Sequence, residues 1–183
     1  MELFAKEYAL PADMAGLKRP IIGFGGKITH LFDFDLFNYC VDQHPDKSFV
    51  IIGQILDKEV FSKISQASNV HYLGDKTYSQ YPSYVCNFNV GIVPYVTNHL
   101  ESGVDSIKIY EYIAAGLSSV GTVGGGMPDM KDFIFIAKDK FEFSAYIAKA
   151  AEGGAKGQLP VTHTWHYKAE YILDLLQGKE VVN

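Results

Sequence analysis

Four short runs, IIGFGG (Ile21–Gly26), SFVIIG (Ser48–Gly53), NVHYLG (Asn69–Gly74) and NVGIVPY (Asn89–Tyr95), are apolar over most of their length, and each ends in glycine or proline chemistry. A strand with one wet face alternates apolar and polar residues. A strand that does not alternate has both faces covered, the condition of a parallel sheet with helices on either side. Two further runs, SSVGTV and DFIFIA, read as short strands. Between the runs lie segments with helical spacing, among them HLFDFDLFNYCVDQHP, DKEVFSKISQ, YSQYPSYVCNF, KFEFSAYIAKAAEG and HTWHYKAEYILDLLQG. The alternation predicts an α/β chain: a doubly wound, Rossmann-like parallel sheet of about six strands flanked by helices. A Pro-punctuated lead-in over 1–19, one domain over 20–178 and a short tail over 179–183 are expected. In such sheets ligands sit beyond the carboxyl ends of the strands, so the turns GFGGK, LGDK and TVGGGMPD are the places to search.

Composition narrows the partners. A net charge of −5, with no run of Lys or Arg, argues against a nucleic-acid surface or a polybasic membrane patch; membrane contact is expected to be peripheral at most. Cys40 and Cys86 lie among apolar neighbours without CxxC spacing and read as core thiols of a reducing compartment. No metal site is expected: His163 and His166 stand three apart, but no third ligand is near in sequence. The start MELFAKEYAL has neither the basic end nor the apolar block of a signal peptide, and no apolar run approaches the roughly 20 residues of a spanning helix, so a cytoplasmic chain is expected.

One helix asks a chemical question. SGVDSIKIYEYIAAG, Ser102 to Gly116, has Asp105 or Ser106 as its N-cap and Gly116 as its left-handed stop. Apolar residues spread around nearly its whole circumference, which predicts burial, yet Lys108 and Glu111 place opposite charges on one face. They could be an ordinary solvated i,i+3 pair. The alternative is that they face a ligand, because the helix starts directly after a strand ending at Pro94. Free amides, the helix dipole and Lys108 would then favour a phosphate, with Glu111 accepting from hydroxyls one turn deeper. The competing motifs fail: the third glycine of a dinucleotide fingerprint would fall on Ile28, and neither GK[ST] nor GxSxG is present.

RPIIGFGGKI, SFVIIG, NVHYLG, NVGIVPY and, above all, SIKIYEYIAAG followed by GTVGGGMPD resemble the C-terminal, nucleotide-sugar-binding domain of GT-B glycosyltransferases. The likeness is to family 4 retaining enzymes and, within them, to bacterial exopolysaccharide and teichuronic acid types. It runs from about Arg19 to about Gly178. It implies that Glu111 matches the second acid of an E-x7-E motif and binds the ribose. The first acid would fall on Gly103, with Glu101 out of register. Lys27 matches a basic residue that holds the diphosphate after the first strand, beside Gly25 and Gly26, while Asp33 stands near where a second is usual. That shifts the diphosphate toward Lys108, stabilising the leaving group, and toward the amides of Ser102, Gly103, Asp105 and Ser106. The base would rest near Gly74 to Lys76. The resemblance further implies a nucleoside-diphosphate sugar, UDP-sugar foremost, as donor, no cofactor or metal, and a separate N-terminal acceptor-binding domain that completes the enzyme. Two alternatives stay open: a sugar-nucleotide epimerase half of the same architecture, and a non-catalytic α/β module docking through the aromatics of TYSQYPSY. Gly124 to Gly126 read equally as a flexible loop or as a close backbone approach to the donor sugar, and Trp165 and Tyr167 as pins of the last helix.

Overall fold

The middle of the sheet buries both faces of every strand, as the uninterrupted apolar runs require. A computed structural model describes residues 3–97, 106–123, 130–153, 162 and 164–178. Its strands are β1 (Ile21–Gly25), β2 (Ser48–Ile52), β3 (Val70–Tyr72), β4 (Val90–Val93), β5 (Ser118–Thr122) and β6 (Phe135–Ala137). They form one six-stranded sheet in the order β3-β2-β1-β4-β5-β6, every neighbouring pair parallel. Every residue of β1, β2, β4 and β5 is buried, whereas the edge strands β3 and β6 are partly exposed. The helices are α1 (Phe34–Gln43), α2 (Lys58–Ser62), α3 (Tyr81–Val85), α4 (Ile107–Ala114), α5 (Lys140–Ala151) and α6 (Trp165–Leu176). The expected α/β class and the parallel six-stranded sheet are present.

Two apolar layers sandwich the sheet, and the strands feed them alternately. Ile22 and Phe24 of β1, with Phe49 and Ile51 of β2, join the α1 and α5 side chains Phe37, Cys40, Phe143 and Ile147. Ile21, Val50, Ile52 and Val93 point the other way, into the layer holding Tyr84 and Val85 of α3 and Ile109, Tyr112 and Ile113 of α4. The lead-in belongs to this second layer: Phe4 and Met14 are buried in it. Burial pushes the Cys40 thiol up to about 12, which fits an inert core thiol.

Helix starts follow local chemistry. Asp33, Asp57, Asp139 and Thr164 each accept from an amide of the first turn of α1, α2, α5 and α6. Asp33, which the resemblance set near a diphosphate ligand, is thereby spent as a cap. Helix α4 has Ser106 at its N-cap, one of the two expected residues, and Gly116 follows its end at φ 72°, the left-handed stop expected there.

On the sheet face that packs α4, Gly23 of β1 and Gly91 of β4 are register partners. A Cβ at Gly91 would strike the Tyr112 ring and one at Gly23 the Phe88 ring. The two bare positions let the helix layer press on the sheet where the strand order reverses, between β1 and β4.

His44, after α1, is buried with its Nε2 3.0 Å from Ser144 Oγ and 3.1 Å from the Ser144 carbonyl oxygen, tying α1 to α5. Burial lowers its pKa from the ordinary 6.5. The unfolded chain therefore takes up the proton first. The stability associated with neutral His44 is complete above 6.5 and is lost as pH falls through the folded value. Urea midpoints should accordingly fall between pH 7.5 and 5.5, and His44→Gln should shrink that fall; an unchanged pH dependence in the variant would show that His44 does not contribute.

Candidate functional site

The strand order reverses between β1 and β4, and at the carboxyl ends of these two strands three segments converge: Gly25–Lys27 after β1, Pro94–Tyr95 after β4 and the first turn of α4. Gly26 lies under the Lys108 stem, and a Cβ there would run into Lys108 Cε. The stem's ammonium donates to the Tyr95 hydroxyl at 2.7 Å and stands 5.3 Å from the Tyr95 ring centroid and 5.7 Å from that of Phe24. Two aromatic faces and one hydroxyl thus hold the cation at the mouth of the sheet.

Glu111, one turn deeper on α4, has a different partner. The Tyr81 hydroxyl lies 3.2 Å from Glu111 Oε2 and 3.2 Å from the carbonyl oxygen of Gly25. Burial raises the Glu111 pKa above the usual carboxylate range, opposed by the Tyr81 hydrogen bond and by the Lys108 charge. Next along the helix, Tyr112 accepts from the Gly25 amide at 2.9 Å in a fully buried contact. Lys108 and Glu111 are therefore held by tyrosines from separate elements, and no ion pair between them is formed among the described residues. That arrangement disfavours the solvated i,i+3 pair.

Beside this corner opens a cleft of about 300 Å³, bounded by Gly26–Lys27, Ile52–Gln54 and Asp75–Lys76, with Tyr81 as a wall. Gly26 and Tyr81 are the joint: both line the cleft, and they touch Lys108 and Glu111 respectively. Lys27 is exposed at the rim. Lys76 is less free: its ammonium lies 2.9 Å from Asp13 Oδ2 in the lead-in and 4.5 Å from the Tyr84 ring centroid, and Tyr84 also donates to Asp13. Gly74, at φ 77°, accepts at its carbonyl from the Gly53 amide at 3.0 Å. Among the described residues Ser106 Oγ is buried without a hydrogen-bond partner, at the head of a helix whose first amides have no carbonyl of their own helix to bond. An anion arriving there would meet that hydroxyl, those amides and Lys108 together.

Gly25, Gly26, Lys27, Gly74, Lys76, Ser106, Lys108 and Glu111 follow or end strands at the carboxyl edge of the sheet, and of them Gly26, Lys27 and Lys76 line the cleft. Ser102, Gly103 and Asp105, with Glu101, Gly124 to Gly126 and His163, lie outside the described residues. Gly25 and Gly26 work differently from a phosphate cradle: their amides are occupied by Tyr112 Oη and the Ile52 carbonyl, and their missing side chains make room for Tyr81 and Lys108. Sequence reasoning missed Tyr81, Tyr95 and Tyr112. The only available signal for Tyr95 was an aromatic directly after a strand-ending proline. Of the aromatics in TYSQYPSY, Tyr78 is 72% exposed while Tyr81 and Tyr84 turn inward. Among the described residues no three His, Cys, Asp or Glu side chains gather as a metal site, and His166 lies 3.2 Å from Glu170 on exposed α6. No helix among them is long and apolar enough to cross a membrane.

No protein-family model matches the chain. TuaH of Bacillus subtilis (strain 168), named as a teichuronic acid biosynthesis glycosyltransferase, is 29% identical over 125 residues, 66% of this chain and 32% of TuaH. The sucrose-phosphate synthase of Thermosynechococcus elongatus superposes with a TM-score of 0.73 at 16% identity, over 96% of this chain and 50% of that one. HepE of Anabaena, in its complex with UDP, gives a TM-score of 0.65 at 16% identity, over 95% of this chain and 50% of that one; HepE is also known in complex with UDP-glucose. The chain thus spans about a third of the curated relative and half of each structure. The resemblance to glycosyltransferases is present in sequence through TuaH, and the expected fold of one GT-B half is present in the two structures.

Proposed function

We propose that the chain is the donor-binding half of a glycosyltransferase, working in the cytoplasm on a nucleoside-diphosphate sugar, UDP-sugar foremost, with an N-terminal half supplying the acceptor site. The observation that carries this reading is the joint: Gly26 and Tyr81 connect a base-sized cleft to a helix start bearing one cation and one half-buried carboxylate. The base occupies the cleft between Gly53 and Lys76, the ribose reaches Glu111, and the diphosphate lies at Lys108, Ser106 Oγ and the first amides of α4. Lys27 stands at the rim, within reach of the same anion.

When the bond between the anomeric carbon and the diphosphate oxygen breaks, negative charge grows on the departing phosphate. A cation and oriented amides fixed before the event stabilise that charge without reorganisation. Lys108 takes this role, and the Phe24 and Tyr95 rings limit where its ammonium can go. The likeness to TuaH, a teichuronic acid biosynthesis glycosyltransferase by name, supports transfer to a polysaccharide or glycoconjugate acceptor.

Calorimetric titration of the chain with UDP, GDP and ADP tests the reading. Saturable binding of one diphosphate, UDP expected, supports it. A folded chain that binds none of the three refutes a donor site complete within these residues.

A further inference from the structure

The Gly25 peptide carries two tyrosine hydroxyls. On one side Tyr112 Oη accepts its amide hydrogen at 2.9 Å; on the other Tyr81 Oη stands 3.2 Å from its carbonyl. Tyr81 has a second acceptor at the same distance, Glu111 Oε2. One phenolic proton cannot serve both fully, and a carboxylate is the stronger acceptor. Gly25 has no Cβ; one placed there would collide with the Tyr81 hydroxyl, so the bare residue is what allows a tyrosine of α3 to reach a carboxylate of α4 across the end of β1. Phe4 packs edge-on against the Tyr81 ring, with centroids 5.9 Å apart at 78°.

We infer that Tyr81 is a positioning residue of the donor site, engaging one Glu111 oxygen so that the other is presented to the ribose hydroxyls of a bound nucleotide. This rests on the donor-site reading above. Glu111 is reached by Tyr81 from α3 and lies on the same helix as Lys108 and Tyr112; of these, Tyr81 is the one that donates to it. A glutamate on a helix has several rotamers, and a fixed donor on one oxygen selects among them before any ligand arrives. The Tyr81 ring also walls the cleft, so the residue that sets the ribose contact shapes the base site as well. Burial raises the Tyr81 pKa, which keeps the hydroxyl protonated as a donor.

The test compares UDP with 2′,3′-dideoxy-UDP on the 183-residue chain, wild type and Tyr81→Phe, with thermal melts confirming that the variant is folded. Wild type is expected to prefer UDP by about tenfold, the worth of a hydrogen bond to a charged group. Tyr81→Phe should bring that preference to about threefold or less while the dideoxy compound binds nearly as before. Glu111→Gln combined with Tyr81→Phe should lose little more than Glu111→Gln alone, because the tyrosine acts through the carboxylate. Equal weakening of both ligands would mean that Tyr81 serves only as a wall, and an undiminished preference would likewise overturn the inference while leaving the donor site standing. Folded wild-type chain that binds none of UDP, GDP and ADP overturns the donor-site reading and this inference together.

Discussion

Replacing Lys108 with methionine is expected to weaken UDP binding by about ten- to hundredfold, the range for losing a charged partner of a phosphate. Methionine is the informative substitute because the stem lies across Gly26, where alanine would open a gap as well as remove the charge. Uridine, which has no phosphate, should bind equally well to wild type and Lys108→Met. The salt dependence of UDP binding should also flatten in the variant, since one cation no longer meets the anion. The Tyr95 hydroxyl loses its 2.7 Å donor, so a small drop in melting temperature is expected beside the large drop in affinity. Calorimetry at two salt concentrations reads all of this; an unchanged UDP affinity would return Lys108 to the status of a packed surface lysine.

Glu111→Gln is expected to move binding and stability in opposite directions. The folded pKa of Glu111 lies above its ordinary 4.5, chiefly through burial. Its contribution to stability is therefore complete below 4.5 and is lost as pH rises through the folded value, so near pH 7 the ionised group is a cost. Glutamine keeps an oxygen for the Tyr81 hydroxyl and carries no charge. The variant should melt at a higher temperature than wild type at pH 7 and at nearly the same temperature at pH 4. Its UDP affinity should nonetheless fall by about tenfold, because ribose hydroxyls lose a charged acceptor. A buried charge kept at the expense of stability is what a binding role implies. Thermal melts at the two pH values and a titration at pH 7 decide it: lower stability at pH 7 with intact affinity would make Glu111 a structural residue.

Most of the sheet was legible because both its faces are buried, which writes β1, β2 and β4 as largely apolar runs with a glycine or proline at the end, whereas β5 is buried through Ser118, Ser119 and Thr122 and carries a weaker signal. Helix α4 was legible for a complementary reason: two charges in an otherwise apolar helix stand out, and Ser106 and Gly116 mark its ends. The partners of those charges were not legible. Tyr81 reaches Glu111, and Tyr112 reaches Gly25, only because β4 pairs with β1 and brings Gly91 beside Gly23, residues 68 positions apart in the chain. No local spacing encodes that pairing. The glycines after β1 illustrate the same limit: their presence pointed to a phosphate turn, whereas the packing gives them the task of admitting Tyr81 and Lys108. Lys76 was expected beside a base, yet its ion pair with Asp13 depends on where the lead-in folds back, which a reading of 1–19 as a lead-in did not contain.

The central claim is that one ligand spans the cleft and the start of α4. A crystal structure of the chain soaked with UDP tests it directly. The account predicts the uracil between Gly53 and Lys76, ribose hydroxyls within hydrogen-bond distance of Glu111, and phosphate oxygens on Lys108 Nζ and the Ile107 and Lys108 amides. UDP bound away from α4, or bound in the cleft with Lys108 still directed only at Tyr95 and Glu111 untouched, would contradict it.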